Sequence, residues 1–148
     1  MTRDTRRQAV LIAGVTVAVV WWLGGFLLTG NATLGFRDAA SFYEPRWAWL
    51  VQHWAQGIFP QWNPLENAGT DVVADPTYGV FYPFKVLLLA PLAWPLPYHI
   101  FLLFHSILAW GAAYRAARCM PASPFAAALG ATSYAFGGHV LAQTHNAV

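Results

Sequence analysis

The sequence predicts an all-α integral membrane protein, with about three transmembrane helices and further interfacial or re-entrant helices in a large first extracytoplasmic loop. Three observations carry that class. Of 148 residues, 57% are hydrophobic and only 9% charged, whereas soluble domains carry roughly 25% charged residues. So few charges do not cover a soluble surface. The run from Ala9 to Gly30 holds no charged residue and is long enough to cross roughly 30 Å of hydrocarbon at about 1.5 Å per residue. Five of the six acidic residues, Asp38, Glu44, Glu66, Asp71 and Asp75, fall between Arg37 and Tyr82. That polar, Trp-rich, Pro-punctuated stretch between apolar runs reads as the working face.

The N-terminus, with Arg3, Arg6 and Arg7 against Asp4, leads into the first span, 9–30. A cleaved signal has a shorter apolar core of about 7–15 residues and a small-x-small site. Trp21-Trp22 and the length of this run favour a retained signal anchor over that or a twin-arginine signal. The positive-inside rule then puts the N-terminus in the cytoplasm. Asn31-Ala-Thr matches a glycosylation sequon, a weak signal so close to a membrane face.

The loop, about 31–96, opens on a helix that Asp38 caps and Gly57 ends, with Pro45 kinking it or marking its proper start. Tyr43, Trp47, Leu50, Val51, Trp54 and Ile58 repeat at three and four to form one stripe. Arg46, His53 and Gln56 fall mostly on other faces, and Trp49 breaks the pattern. Such a helix lies in the interface with its tryptophans at headgroup depth, or packs on neighbouring protein, and the spacing leaves both open. Phe59 to Asp71 is a shaped loop, because Pro and Gly forbid a regular element through most of it. Val80 to Trp94 contains Lys85 and is closed by Pro91 and Pro95, too short to cross comfortably, and reads as a re-entrant or interfacial helix.

Tyr98 to Tyr114 is the core of a second span, about 97–117, followed by Arg115 and Arg118 on the arginine-rich side. Ser123-Pro124 opens a third, about 122–141, as N-cap and N1. Its small pairs Ala126/Gly130 and Ala127/Ala131 suit close helix approach. Three spans leave much packing surface, so the chain reads as the N-terminal part of a longer polytopic protein, with the remaining spans as partners.

Composition narrows the chemistry. The net charge of +2, without a basic stripe, gives no indication of nucleic acid. Cys119 is the only cysteine, so neither an intrachain disulfide nor a thiolate zinc cluster forms. Beside Met120 it reads as a small residue, not a nucleophile. His99 with His105, and His139 with His145, are spaced so that the rings diverge by about 120° on a helix, poor geometry for paired ligands. Lys85 is placed to snorkel toward phosphate headgroups.

The carboxylates say more. Asp38, beside Arg37 at a helix start near the membrane, is placed to deprotonate a hydroxyl or hold a divalent cation, and equally to act as an N-cap paired with Arg37. Asp71 and Asp75 lie in a Pro-flanked loop, as cation ligands or as Asx-turns.

The succession Arg37-Asp38, Phe42-Tyr43-Glu44-Pro45, Trp62-Asn63-Pro64, Glu66-Asn67-Ala68-Gly69-Thr70, Ala74-Asp75 and Phe81-Tyr82-Pro83 resembles the start of YfhO-type bacterial membrane proteins. Tyr114-Arg115 and Ser133 to Gly138 fit the same pattern. That family is similar in architecture to GT-C membrane glycosyltransferases, in which an aspartate of the first extracytoplasmic loop is typically essential. Asp38 occupies the matching position. The chain departs from the pattern at Asp71, where proline is expected, and at Glu44, where an aromatic often stands. The resemblance implies sugar transfer from a polyprenyl-phosphate donor at the bacterial cytoplasmic membrane. Asp38 would be base or metal ligand, and Arg37, Glu44 and Lys85 substrate contacts. A divalent metal, Mg or Mn, would be held by Asp38, Asp71 and Asp75. The alternatives are a non-enzymatic envelope scaffold, in which Asp38 only caps a helix, and a transporter segment. The transporter would want polar groups in the spans, and only His105, Ser106, Thr132 and Ser133 are available.

Overall fold

The computed structural model describes residues 38–138 continuously, together with Arg7, Gln8, Ile12, Gly14, Thr16, Val17 and Trp21. The described residues of the first predicted span are helical; the rest of that span, Arg37, and the last residues of the third lie outside the description. The protein is mostly helical and divides into two compact units, the boundary falling between Phe101 and Leu102.

The loop unit begins with a π-helical turn, Ala39–Tyr43, that passes into helix α1, Glu44–Ala55. Pro45 sits in the first turn of α1, where its missing N–H costs no intrahelical bond. The π turn and the α-helix therefore meet where proline requires a new start. Gly57, at φ +71°, ends the segment in the left-handed conformation that glycine adopts freely. A two-stranded antiparallel hairpin follows, β1 (Trp62–Asn63) with β2 (Thr70–Asp71), in register Trp62 to Asp71 and Asn63 to Thr70. Asn63 shapes its own turn, the side-chain Oδ1 accepting from the Leu65 N–H at 3.0 Å. Gly69, at φ +117°, is covered by the Trp62 ring so closely that a Cβ there would overlap it.

Leu50, Val72 and Tyr78 are fully buried and form the core of this unit, flanked by Trp49, Trp54 and Val80. The N-terminal half of α1 packs elsewhere, Trp47 standing 5.7 Å from Tyr98 and 5.2 Å from Phe101, ring to ring. Of the two readings of the tryptophan stripe, packing on protein is the one realised at Trp47 and Leu50, which are 5% and 0% exposed. Val80 to Trp94 does not form the helix expected of it. Only Pro83–Leu89 is helical, as a 3₁₀ segment, about 14 Å long at roughly 2 Å per residue. Its Lys85 and Leu88 are buried while Val86 faces out. The Trp94–Pro95 peptide bond is cis.

Helix α2, Leu96–Cys119, begins in the loop unit, continues past Phe101 into the other, and is long and apolar enough to cross a membrane. It is the one such helix among the described residues, matching the second predicted span. Only 6% of its apolar window is buried. Arg118 closes its C-terminus, Nη1 donating to the Ala122 carbonyl at 2.8 Å. Helix α3, Pro124–Phe136, starts as expected, with Ser123 Oγ accepting from the Ala126 N–H at 3.2 Å. It is shorter than the predicted span: Gly137 adopts an extended conformation (φ −67°, ψ 155°) and ends it. Thirteen residues reach only about 20 Å. Of its small pairs, Ala127 and Ala131 are buried, whereas Ala126 and Gly130 are exposed. Trp110 Nε1 on α2 donates to Thr132 Oγ1 on α3 at 3.0 Å.

Candidate functional site

The polar centre of the loop unit is Arg46, which sequence periodicity had placed away from the packed stripe. It is 6% exposed. Nη2 donates to Glu66 Oε1, and Nη1 donates to Thr77 Oγ1 at 2.5 Å and lies 3.5 Å from Asp75 Oδ2. The guanidinium also lies 3.4 Å from the centroid of the Phe42 ring, a cation–π contact in a partly desolvated site. Glu66 is held at both oxygens, since the Tyr78 hydroxyl donates to Oε2 at 2.6 Å and itself accepts from Asn63 Nδ2 at 2.8 Å. Asp75 Oδ1 accepts from the Thr77 N–H and hydroxyl, at 2.9 and 2.6 Å. Burial pushes the Asp75 carboxyl up, but the Thr77 bonds and the Arg46 charge outweigh it and hold it below its usual 3.8.

Residues 77 and 78 are gripped along their backbone as well. Trp47 Nε1 donates to the Thr77 carbonyl at 3.0 Å, and Lys85 Nζ donates to the Tyr78 carbonyl. Nζ also lies 3.9 Å from the Trp47 ring centroid. Lys85, 3% exposed, is thus turned inward and does not snorkel, which removes it as a contact for a phosphate. Burial lowers its pKa from 10.5 to about 7, because the charged form loses its hydration there.

The pH dependence has two limbs. Asp75, with a depressed folded pKa, contributes its full stabilisation above about pH 3.8, and that contribution is lost as the pH falls through the lower folded value. Lys85 acts oppositely. Between about pH 7 and 10.5 the unfolded chain holds a proton that the folded unit has released, so stability rises with pH across that window. The thermal midpoint of the detergent-solubilised protein is therefore expected to be higher at pH 9 than at pH 7, with Lys85→Met flattening the rise. An equal midpoint at both values would mean that Lys85 stays charged in its pocket.

The remaining expected site residues are scattered in role. Glu44 accepts from Trp94 Nε1 at 2.5 Å, a tie between the start of α1 and the approach to α2. Asp71 Oδ1 accepts from the N–H groups of Val73 and Ala74, both at 3.0 Å, which makes it a turn former. Asp38 is exposed and has no partner among the described residues. Among the described residues no group of three His, Cys, Asp or Glu side chains could hold a metal. The set Asp38, Asp71 and Asp75 therefore does not fit a divalent ion, and no step is derived through one. The signal for Arg46 was present in the chain: it is the only Lys or Arg between Arg37 and Lys85, among five acids.

No protein-family model, curated protein or solved structure matches the chain.

Proposed function

We propose that the chain forms one wall of a membrane-embedded glycosyltransferase at the bacterial cytoplasmic membrane, N-terminus inside, with the loop unit on the extracytoplasmic side. The reaction moves a sugar from a polyprenyl-phosphate donor to an acceptor hydroxyl, and further spans complete the site. The observation that supports this reading is the state of the acids. Glu44, Glu66, Asp71 and Asp75 are committed to internal bonds, and Asp38 alone stands exposed and unengaged among the described residues.

In the proposed step the Asp38 carboxylate takes the proton of the acceptor hydroxyl as its oxygen bonds to the anomeric carbon. The bond from that carbon to the phosphate oxygen breaks, and polyprenyl phosphate departs with the electron pair. Phosphate is a good leaving group, so the demand is for a base and for positioning rather than for an acid. Arg37 is the remaining candidate to neutralise the leaving phosphate.

Asp38→Asn in membranes is expected to reduce sugar transfer from a polyprenyl-phosphate donor by about 10²–10⁴-fold, with insertion unchanged and Asp71→Asn near wild type. Retained transfer in Asp38→Asn would remove Asp38 as the base. That outcome would favour the scaffold reading, for which the outward-facing Trp62 and Leu65 of the hairpin offer a partner surface.

A further inference from the structure

A widened turn separates Asp38 from α1, and the sequence shows why it is wide. Pro45 has no N–H to give, and in an unbroken α-helix its ring would press on the Ser41 carbonyl, four residues back. Ala39–Tyr43 instead form a π turn, in which bonds run from residue i to i+5. Tyr43 keeps helical angles, φ −77° and ψ −43°, so the turn runs into α1 without a break. Such a turn takes up one residue more than a turn of α-helix.

The extra residue rotates Asp38 about the helix axis. Asp38 stands eight positions before Arg46. At roughly 100° per residue, an unbroken α-helix would set the two about 80° apart. With one residue absorbed by the π turn the offset falls to about 20°, which brings Asp38 onto the face of Arg46. Phe42 comes between them in the chain, close to the same face. Its ring covers the guanidinium at 3.4 Å and packs edge-on to Tyr43 at 5.0 Å. Arg46 is itself fixed by Glu66 and Thr77, so the ring rests on a group that is held in place. Its charge is spent on Glu66 and Asp75, and Asp38 makes no ion pair among the described residues.

We infer that Phe42, backed by Arg46, is a positioning residue for Asp38. The ring packs the π turn onto α1 and so holds the carboxylate at one height and one azimuth. The inference rests on the reading of Asp38 as the base that takes the acceptor proton. Arg46 then has a second role besides the ion pairs that stabilise the loop unit. Positioning of this kind acts on the chemical step more than on binding.

The test compares Phe42→Leu, Phe42→Tyr and Asp38→Asn in the full chain in membranes. The donors are polyprenyl phosphates carrying glucose, mannose or arabinose, and the acceptors are those endogenous to the membranes. Phe42→Leu is expected to lower kcat by about 10²-fold with KM unchanged. Phe42→Tyr keeps the ring and should restore most of the rate. Exchange protection of the Val72 amide should be the same in all three. Nitroxide labels on two cysteines at positions 38 and 65, in a Cys119→Ser background, give a readout without activity. Their distance distribution is expected to be narrow, and Phe42→Leu to broaden it. If Asp38→Asn abolishes transfer while Phe42→Leu retains it, the positioning is wrong and the base assignment stands. A distribution that stays narrow in Phe42→Leu overturns the positioning in the same way. If Phe42→Leu costs Val72 protection, the ring only stabilises the fold and the inference fails. If Asp38→Asn retains transfer, or wild type transfers none of these sugars, the base assignment falls and the positioning falls with it.

Discussion

Replacing Arg46 by methionine is expected to destabilise the loop unit by about 3 kcal/mol, near the lower end of the range for breaking a buried pair from one side. The cause is what remains. Glu66 and Asp75 would keep their charges with the shared cation gone, and their side chains are only 21% and 22% exposed. That residual exposure gives some solvent relief and keeps the effect from the upper end of the range. The Thr77 hydroxyl would lose its donor, and the Phe42 ring its cation. Hydrogen exchange at the Val72 amide, which donates to the Gln61 carbonyl at 2.9 Å, reads the result directly. A loss of 3 kcal/mol corresponds to roughly a hundredfold loss of protection. Removing the charges together, as Arg46→Met with Glu66→Gln and Asp75→Asn, is expected to restore much of it, because neutral partners carry a far smaller desolvation penalty. Unchanged protection in the single variant would mean that Arg46 does not hold the unit together.

Leu50→Ala is expected to cost about 2–5 kcal/mol by a different route. Leu50 is fully buried against Val72 and Tyr78, with Trp49, Trp54 and Val80 closing around it. Those large rings leave little room for collapse into the vacated space, so both the transfer and the cavity contributions apply. Leu50→Met keeps the volume and should cost under about 1.5 kcal/mol. The same Val72 amide reports the loss, and since no charge is touched, the pH profile set by Asp75 and Lys85 should keep its shape. A Leu50→Ala variant as stable as wild type would mean that the hairpin does not rest on α1.

What could be read from the chain was local. Pro45 at the start of α1, Gly57 beyond its end, the Ser123 cap and the Asp71 and Asp75 turns all appear where short-range rules put them. The apolar run of α2 likewise follows from its length and composition. Of the Arg46 cluster only a lone cation among five acids was legible; which of them it meets was not, because its bonds join residues 20 and 31 positions apart. Helical periodicity describes one helix and assigns a lone arginine to solvent; only the folded loop brings the acids to it. Lys85 misled for the same reason. Its apolar neighbours suggest a stem lying along lipid, whereas Gly79 leaves just enough space for Nζ to turn inward, a Cβ there standing 3.1 Å from it. Gly137 likewise shortened α3, since a helix of small residues gives little sequence warning of where it stops.

Arg46 and Trp47 are consecutive, so their side chains leave α1 about 100° apart, yet both are anchored to the segment at Thr77. Two tethers spread over that arc act like a pair of guy lines on a mast. Rolling α1 about its axis in one sense tightens the first, and in the other sense the second. Movement of the loop unit is therefore expected to be a tilt or a translation of this assembly as one piece, with its bending points outside Arg46 to Lys85.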